Sequence, residues 1–332
     1  MEKIIFYQER TFGDKFNVTF EFVKQNWKIL LRYVSYVILP LSFVGALALD
    51  YFIKVMSDSS ASSAYDDFDI VNFGMTYTAT LFVGILASLW VATVVFSLIQ
   101  AYNLRSNGLE GITFVELKPL FKRNSWRLVK CGLLIFLMVA SVLALAILLA
   151  AVIHWIVAFF MFIAIVVLII PLLMVAPVYI YENVNVWKAL RRGIDLGWKT
   201  WGGIFVLGLV LSLLSNIAST LVSLPWQVCY IVKMLFSASS NGESTIITST
   251  LYTLVMYVFG IVMLYANFAI FSLFYVSTSY LYSHATEQQD DMSLETGIAH
   301  FTEFADDNKD AEDIFGQEND GIPAHTKEDI WS

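Results

Sequence analysis

The chain has 332 residues, 58% of them hydrophobic and 14% charged, with a formal net charge of −8 and a mean hydropathy of +0.68. Soluble domains carry about 45–50% apolar and about 25% charged residues, so a soluble globular protein is excluded. The placement of charge says the same: residues 70–104, 131–181, 200–232 and 244–286 contain no Asp, Glu, Lys or Arg. Roughly 20 apolar residues cross a hydrocarbon core of about 30 Å. Each run is long enough to cross once, and 131–181 is long enough to cross twice.

In chain order, residues 1–28 read as a cytoplasmic N-terminus ending in an amphipathic helix. They contain no apolar signal-peptide core, which leaves insertion to the first span. That span is expected at 29–52, with Arg32 and Asp50 near its ends, where polar side chains reach the headgroups. Pro40 in its middle predicts a kink. A second span follows at 75–101. Spans three (129–151) and four (156–179) form a hairpin turning around His154 and Trp155, because one helix over the whole run would far exceed a bilayer. The fifth is expected at 203–224. The sixth, 246–282, is long enough that it should tilt, break near Gly260 or extend beyond the membrane. Cys131 and Cys229 fall at opposite membrane faces and should not pair.

Orientation follows from basic residues in the short loops. One side collects Lys3, Arg10, Lys15, Lys24, Lys28 and Arg32, then Arg105, Lys118, Lys122, Arg123, Arg127 and Lys130, then Lys188, Arg191, Arg192 and Lys199. The other side has Lys54 and Lys233, a ratio of sixteen to two. The basic side is therefore read as cytoplasmic, with both termini on it. Trp27, Trp126, Trp187, Trp198 and Trp201 fall at that interface and Trp155 and Trp226 at the opposite one, as interfacial aromatic belts do.

Each cytoplasmic segment before a hairpin repeats one pattern. Phe16, Phe20, Val23 and Trp27 recur at helical spacing in the first. Phe114, Leu117 and Phe121 precede Trp126 in the second, where Thr113 and Glu116 form a capping-box pair but Pro119 argues for a later helix start. Val186, Leu190 and Ile194 form the third stripe, leading to Trp198. Apolar on one face and basic on the other, such helices favour an anionic interface. The fold class is accordingly an all-α integral membrane protein: a six-helix transmembrane bundle (29–283) with interfacial amphipathic elbow helices, read as three pseudo-repeated elbow-plus-hairpin units. The trailing residues 284–332 hold 14 of the 28 acidic residues against Lys309 and Lys327, counting from Ser283 onward. That composition predicts a disordered cytoplasmic tail, or more sharply a docking segment for a cytoplasmic partner or one that folds back on the basic elbows.

No phosphate-binding glycine loop, nucleophile elbow or zinc-protease motif occurs. His154, His284, His300 and His325 lack metal-ligand spacing. No catalytic, cofactor-binding or metal site is therefore assigned, no cofactor is expected, and neither is a nucleic-acid partner. Asn216, Ser219 and Asn267 read as interhelical hydrogen-bonding groups. Glu182, at the inner end of span four, is the one notable carboxylate. It is expected to pair with Lys188, Arg191 or Arg192 and so fix the third elbow. The candidate structural or lipid-interface residues are Trp27, Trp126, Glu182, Arg191, Arg192 and Trp198, and the expected partners are the bilayer and anionic lipid headgroups.

The stretch from Pro177 through Glu182, Ala189 and Arg191 to Trp198 resembles the membrane domain that accompanies some bacterial glycerophosphoryl diester phosphodiesterases, and related six-span bacterial proteins. In that group a proline, a Glu, an Ala and a basic residue lead from a span into an amphipathic elbow. The resemblance implies a bacterial inner-membrane location. It does not carry the hydrolase activity, which in those enzymes belongs to a separate barrel of about 250 residues. The leading expectation is a non-enzymatic scaffold, envelope-assembly or lipid-handling partner. A small transporter of a lipid-like or apolar solute comes second, and a membrane-embedded lipid enzyme third.

Overall fold

The computed structural model describes residues 3–61, 70–152, 155–238 and 249–290, and among these it is helical with no strand. Eight helices follow in order: α1 (Phe12–Ala61), α2 (Ile70–Leu104), α3 (Phe114–Val152), α4 (Trp155–Leu172), α5 (Val175–Tyr181), α6 (Val186–Lys199), α7 (Trp201–Ala238) and α8 (Thr250–Asp290). Six segments are long and apolar enough to cross a membrane, so the chain is a polytopic membrane protein with the expected six-helix architecture. The turn at His154, and the tail from residue 291 with His300 and His325, lie outside the described residues.

Several boundaries move. The first two elbows are not separate helices but are continuous with the spans that follow. Helix α1 runs unbroken for 50 residues, about 75 Å at about 1.5 Å per residue, and Pro40 does not interrupt it. Its expected apolar stripe divides, with Phe16 and Val23 packed against the core. Val18, Phe22 and Leu30 are buried, whereas Phe20 and Trp27 are exposed. Helix α3 begins at Phe114, ahead of Pro119. The Thr113 hydroxyl donates to Glu116 (3.0 Å), and a proline in the first turns forfeits few helical bonds.

Span four is broken. Leu173 N–H donates to Ile170 O (3.2 Å) and Met174 N–H to Pro171 O (3.1 Å), a tight turn that separates α4 from α5. Pro171 and Pro177 lack the N–H groups that would carry an α-helix through this point. Helix α8, by contrast, does not break at Gly260, where Trp226 and Ala46 pack closely. It continues eight residues past the expected end, and Ser283, His284, Ala285, Thr286 and Glu287 are buried. The boundary drawn at 284 is therefore corrected to beyond Asp290.

Only the third elbow is a helix of its own, and it does not project freely. A Cβ on Gly193 would lie 2.7 Å from Val175 Cα, and one on Gly197 2.5 Å from Pro171 Cα. Trp201 Nε1 then donates to Val167 O at 3.2 Å. As α6 advances four residues its neighbour retreats four, so α6 lies antiparallel along α4 and α5. Ala189, Gly193 and Gly197 repeat every four residues, the small-residue spacing that lets two backbones meet.

Packing is uneven along the molecule. The largest fully buried side chains include Tyr280, Tyr282, Phe22, Met174, Leu117 and Leu196, all toward the end that carries residues 3–10 and the close of α8. We call this the basic end. Toward the opposite end the α3–α4 hairpin stands largely uncovered: Leu145, Ile147 and Leu148 on α3 and Phe159, Phe160 and Phe162 on α4 are exposed around the helix circumference. Helix α2 is the most enclosed of the spans.

Candidate functional site at the basic end

The first described residues form a strap over the helix ends. Lys3 Nζ donates to the carbonyls of Asn103 (3.1 Å) and Arg105 (2.9 Å), satisfying the C-terminus of α2, as cations do where helix carbonyls are unpaired. Ile4 N–H donates to Tyr102 Oη at 2.8 Å. Phe6 is buried, its ring set edge-on to Tyr181 and tilted against Tyr280. The strap ends at Arg10, whose backbone N–H donates to His284 Nδ1 at 3.0 Å.

Arg10 is the anchor of that strap. Its guanidinium donates to Phe6 O (3.1 Å), Gln8 O (3.3 Å), Ser283 Oγ (3.4 Å) and Ile5 O, and lies 5.4 Å from the centre of the Tyr280 ring. Burial pulls it below its ordinary value, yet an arginine stays charged, and the ring of oxygen acceptors compensates that charge.

Beside the strap sits an ion cluster. Arg192 Nε donates to Glu182 Oε1 at 2.6 Å, and Tyr282 Oη donates to the same oxygen at 3.1 Å. The other side of the guanidinium pairs with Asp290. Burial works against the Arg192 charge, but hydrogen bonds to Glu182 and Asp290 outweigh it and hold the group above its ordinary value. Tyr181 stacks on Tyr282 and donates to Ser279 Oγ at 2.9 Å. Lys199 reaches Gln289 (3.4 Å) and Asp195 (3.0 Å). Helix α3 joins through Arg127, which donates to Val184 O at 2.9 Å, pairs with Asn183 and lies 4.3 Å from the centre of the Tyr179 ring. Asn183 holds φ at 56°, a left-handed conformation that Asn tolerates better than most residues. That turn ends the Glu182 segment and lets Asn185 cap α6 by accepting from Val186 N–H at 2.7 Å.

The expected site residues thus divide into two groups. Glu182 and Arg192 meet in the cluster. Arg191, next in sequence, is exposed, as are Trp27, Trp126 and Trp198, and these are not among the residues that build the cluster. Sequence reasoning missed Arg10, Arg127, Tyr282, His284 and Asp290. The last three fell in or beside the presumed tail, although Tyr280, Leu281 and Tyr282 prolong the apolar run of α8. Ser219 and Asn267 do bond across α7 and α8. Asn216 does not, and bonds its own helix at Ser212 O.

Among the described residues no group of three or more His, Cys, Asp or Glu could hold a metal ion. Cys131 and Cys229 are both free thiols. A cavity of about 110 Å³ opens between α3 and α4, walled by apolar side chains including Met138, Val142, Ile165 and Leu168. Comparison with protein-family models, with curated proteins and with solved structures finds no match for this chain.

Proposed function

We propose that this protein is a non-enzymatic scaffold and lipid-handling partner of a bacterial inner membrane, with its basic end in the cytoplasm and its acidic tail offered to a cytoplasmic protein. The observation that carries this reading is the division at the basic end. Glu182, Arg192 and Asp290 engage one another and so build structure. Trp27, Trp126, Trp187 and Trp198 remain exposed at the rim, together with Lys188 and Arg191. Exposed Trp and basic side chains at a membrane boundary are what anionic headgroups attract. The apolar α3–α4 cavity supports the lipid-handling half of the reading. So does the likeness of the Pro177–Trp198 stretch to the diesterase-associated membrane domain.

Each basic side chain near an anionic surface contributes about 1 kcal/mol. Replacing Arg191 by Gln should therefore reduce the anionic phospholipid that copurifies with the protein by about fivefold, without lowering its melting temperature. Mass-spectrometric lipid counts unchanged from the parent protein would defeat the headgroup assignment. Orientation is checked separately with fusions after Ser332. A fluorescent protein there should fold and emit, and an alkaline phosphatase there should be inactive, whereas the reverse pattern places the basic end outside.

A further inference from the structure

The break in span four frees a backbone carbonyl. In an unbroken helix Leu173 O would accept from the N–H of residue 177, four positions on. Residue 177 is a proline and carries no N–H. The tight turn at the break employs the carbonyls of Ile170 and Pro171, and among the described residues nothing donates to that of Leu173. Inside a membrane such a group is made good by Ser or Thr of a neighbouring helix, or by an ordered water.

Helix α8 brings hydroxyls to this place. A cavity of about 10 Å³ lies between the break, α7 and α8, bordered by Leu173, Met174, Ile204, Leu211, Ser277 and Thr278. Ser277 is buried, and its Oγ has no partner among the described residues. Thr278 Oγ1 donates to Phe274 O at 2.8 Å, which leaves its lone pairs free to accept. About 10–15 Å³ of space holds one water, which needs two to four polar partners. No charged side chain borders the cavity, so an ion would lack a counter-charge there, and a larger molecule would not fit.

We propose that this cavity is the site of one ordered water that ties the broken span to α8. The water donates to Leu173 O and Thr278 Oγ1 and accepts from the Ser277 hydroxyl. The test uses the full chain in detergent and a short X-ray pulse, which splits ordered water in place and releases a hydroxyl radical beside its neighbours. Met174 is 0% exposed and borders the cavity, and its thioether is readily converted to the sulfoxide. Peptide mass spectrometry should find Met174 oxidised. Met256, buried to 2% exposure and not among the residues bordering the cavity, should stay intact. Ser277→Ala removes one partner of the water and should lower the Met174 yield about fivefold, the equivalent of one ordinary hydrogen bond. Pro177→Ala restores the missing N–H and should lower it as well, with a thermal melt showing that each variant is folded. Excess methionine amide in the buffer consumes radicals from bulk solvent and should leave the Met174 yield unchanged. A Met174 yield no higher than that of Met256 overturns the proposal. So does a yield that falls with the scavenger, or one indifferent to both substitutions.

Discussion

A leucine at Gly197 should leave little folded protein. The Cβ alone would come within 2.5 Å of Pro171 Cα and 2.7 Å of Pro171 O, and both are backbone atoms with no side-chain freedom to yield. Overpacking ordinarily costs about 1–3 kcal/mol when neighbours can shift. Here α6 must lift from α4, so the cost should reach the upper part of that range or exceed it, against a total stability of about 5–15 kcal/mol. Gly193→Leu should behave similarly, since Val175 backbone atoms crowd it. Gly202→Ala is the control. Nothing lies within 4 Å of its Cβ position, and alanine is about 1 kcal/mol better than glycine in a helix. Thermal melting in detergent reads all three. A Gly197→Leu protein melting with the parent would mean that α6 does not lie against α4.

Removing the Arg192 charge is expected to have the next largest effect. Arg192→Gln would leave Glu182, whose side chain is only 14% exposed, beside a lone Tyr282 hydroxyl. Breaking one half of a buried pair costs about 3–5 kcal/mol, and the partial exposure of Arg192 places the loss here nearer about 2 kcal/mol. Glu182→Gln should cost less, because Asp290 still pairs with the arginine. The double variant should be clearly less unstable than the sum of the two singles, as for any pair in direct contact. A melting series delivers the cycle. If Glu182→Gln left stability intact but abolished the cellular function, the carboxylate would be working on a ligand and the structural role would fall.

The spans were legible because hydrocarbon rejects charge wherever the chain crosses it, so the charge-free runs name the crossings directly. Faces were less legible. In α1 the aromatic residues Phe20 and Trp27 point outward, because an interface attracts aromatics as a protein core does, and period alone cannot tell the two apart. The pairing of Glu182 with a nearby arginine was readable at ten residues' separation. Its second half was not, since Asp290 approaches from the far end of α8 and leaves no local trace. The same holds for Arg10 and His284, 274 residues apart. The break after Leu172 was foreshadowed by Pro171 and Pro177. The Ala189–Gly193–Gly197 spacing was in plain view, but it was overlooked because those positions lie between the apolar residues that define the amphipathic stripe.

The strap also bears on how the protein is made. Arg10 finds its partners on Ser283 and His284, and synthesis proceeds at about 5–20 residues per second. Tens of seconds therefore separate the appearance of the two ends of that contact. Throughout this interval the first hairpins sit in the bilayer with the N-terminal segment unclosed and its arginine hydrated. Closure comes only when the sixth span is in place, so the joining of residues 3–10 to α8 marks the arrival of that helix. A nascent protein stalled before Ser283 would leave Phe6 and Arg10, buried in the folded protein, without the α8 residues that cover them.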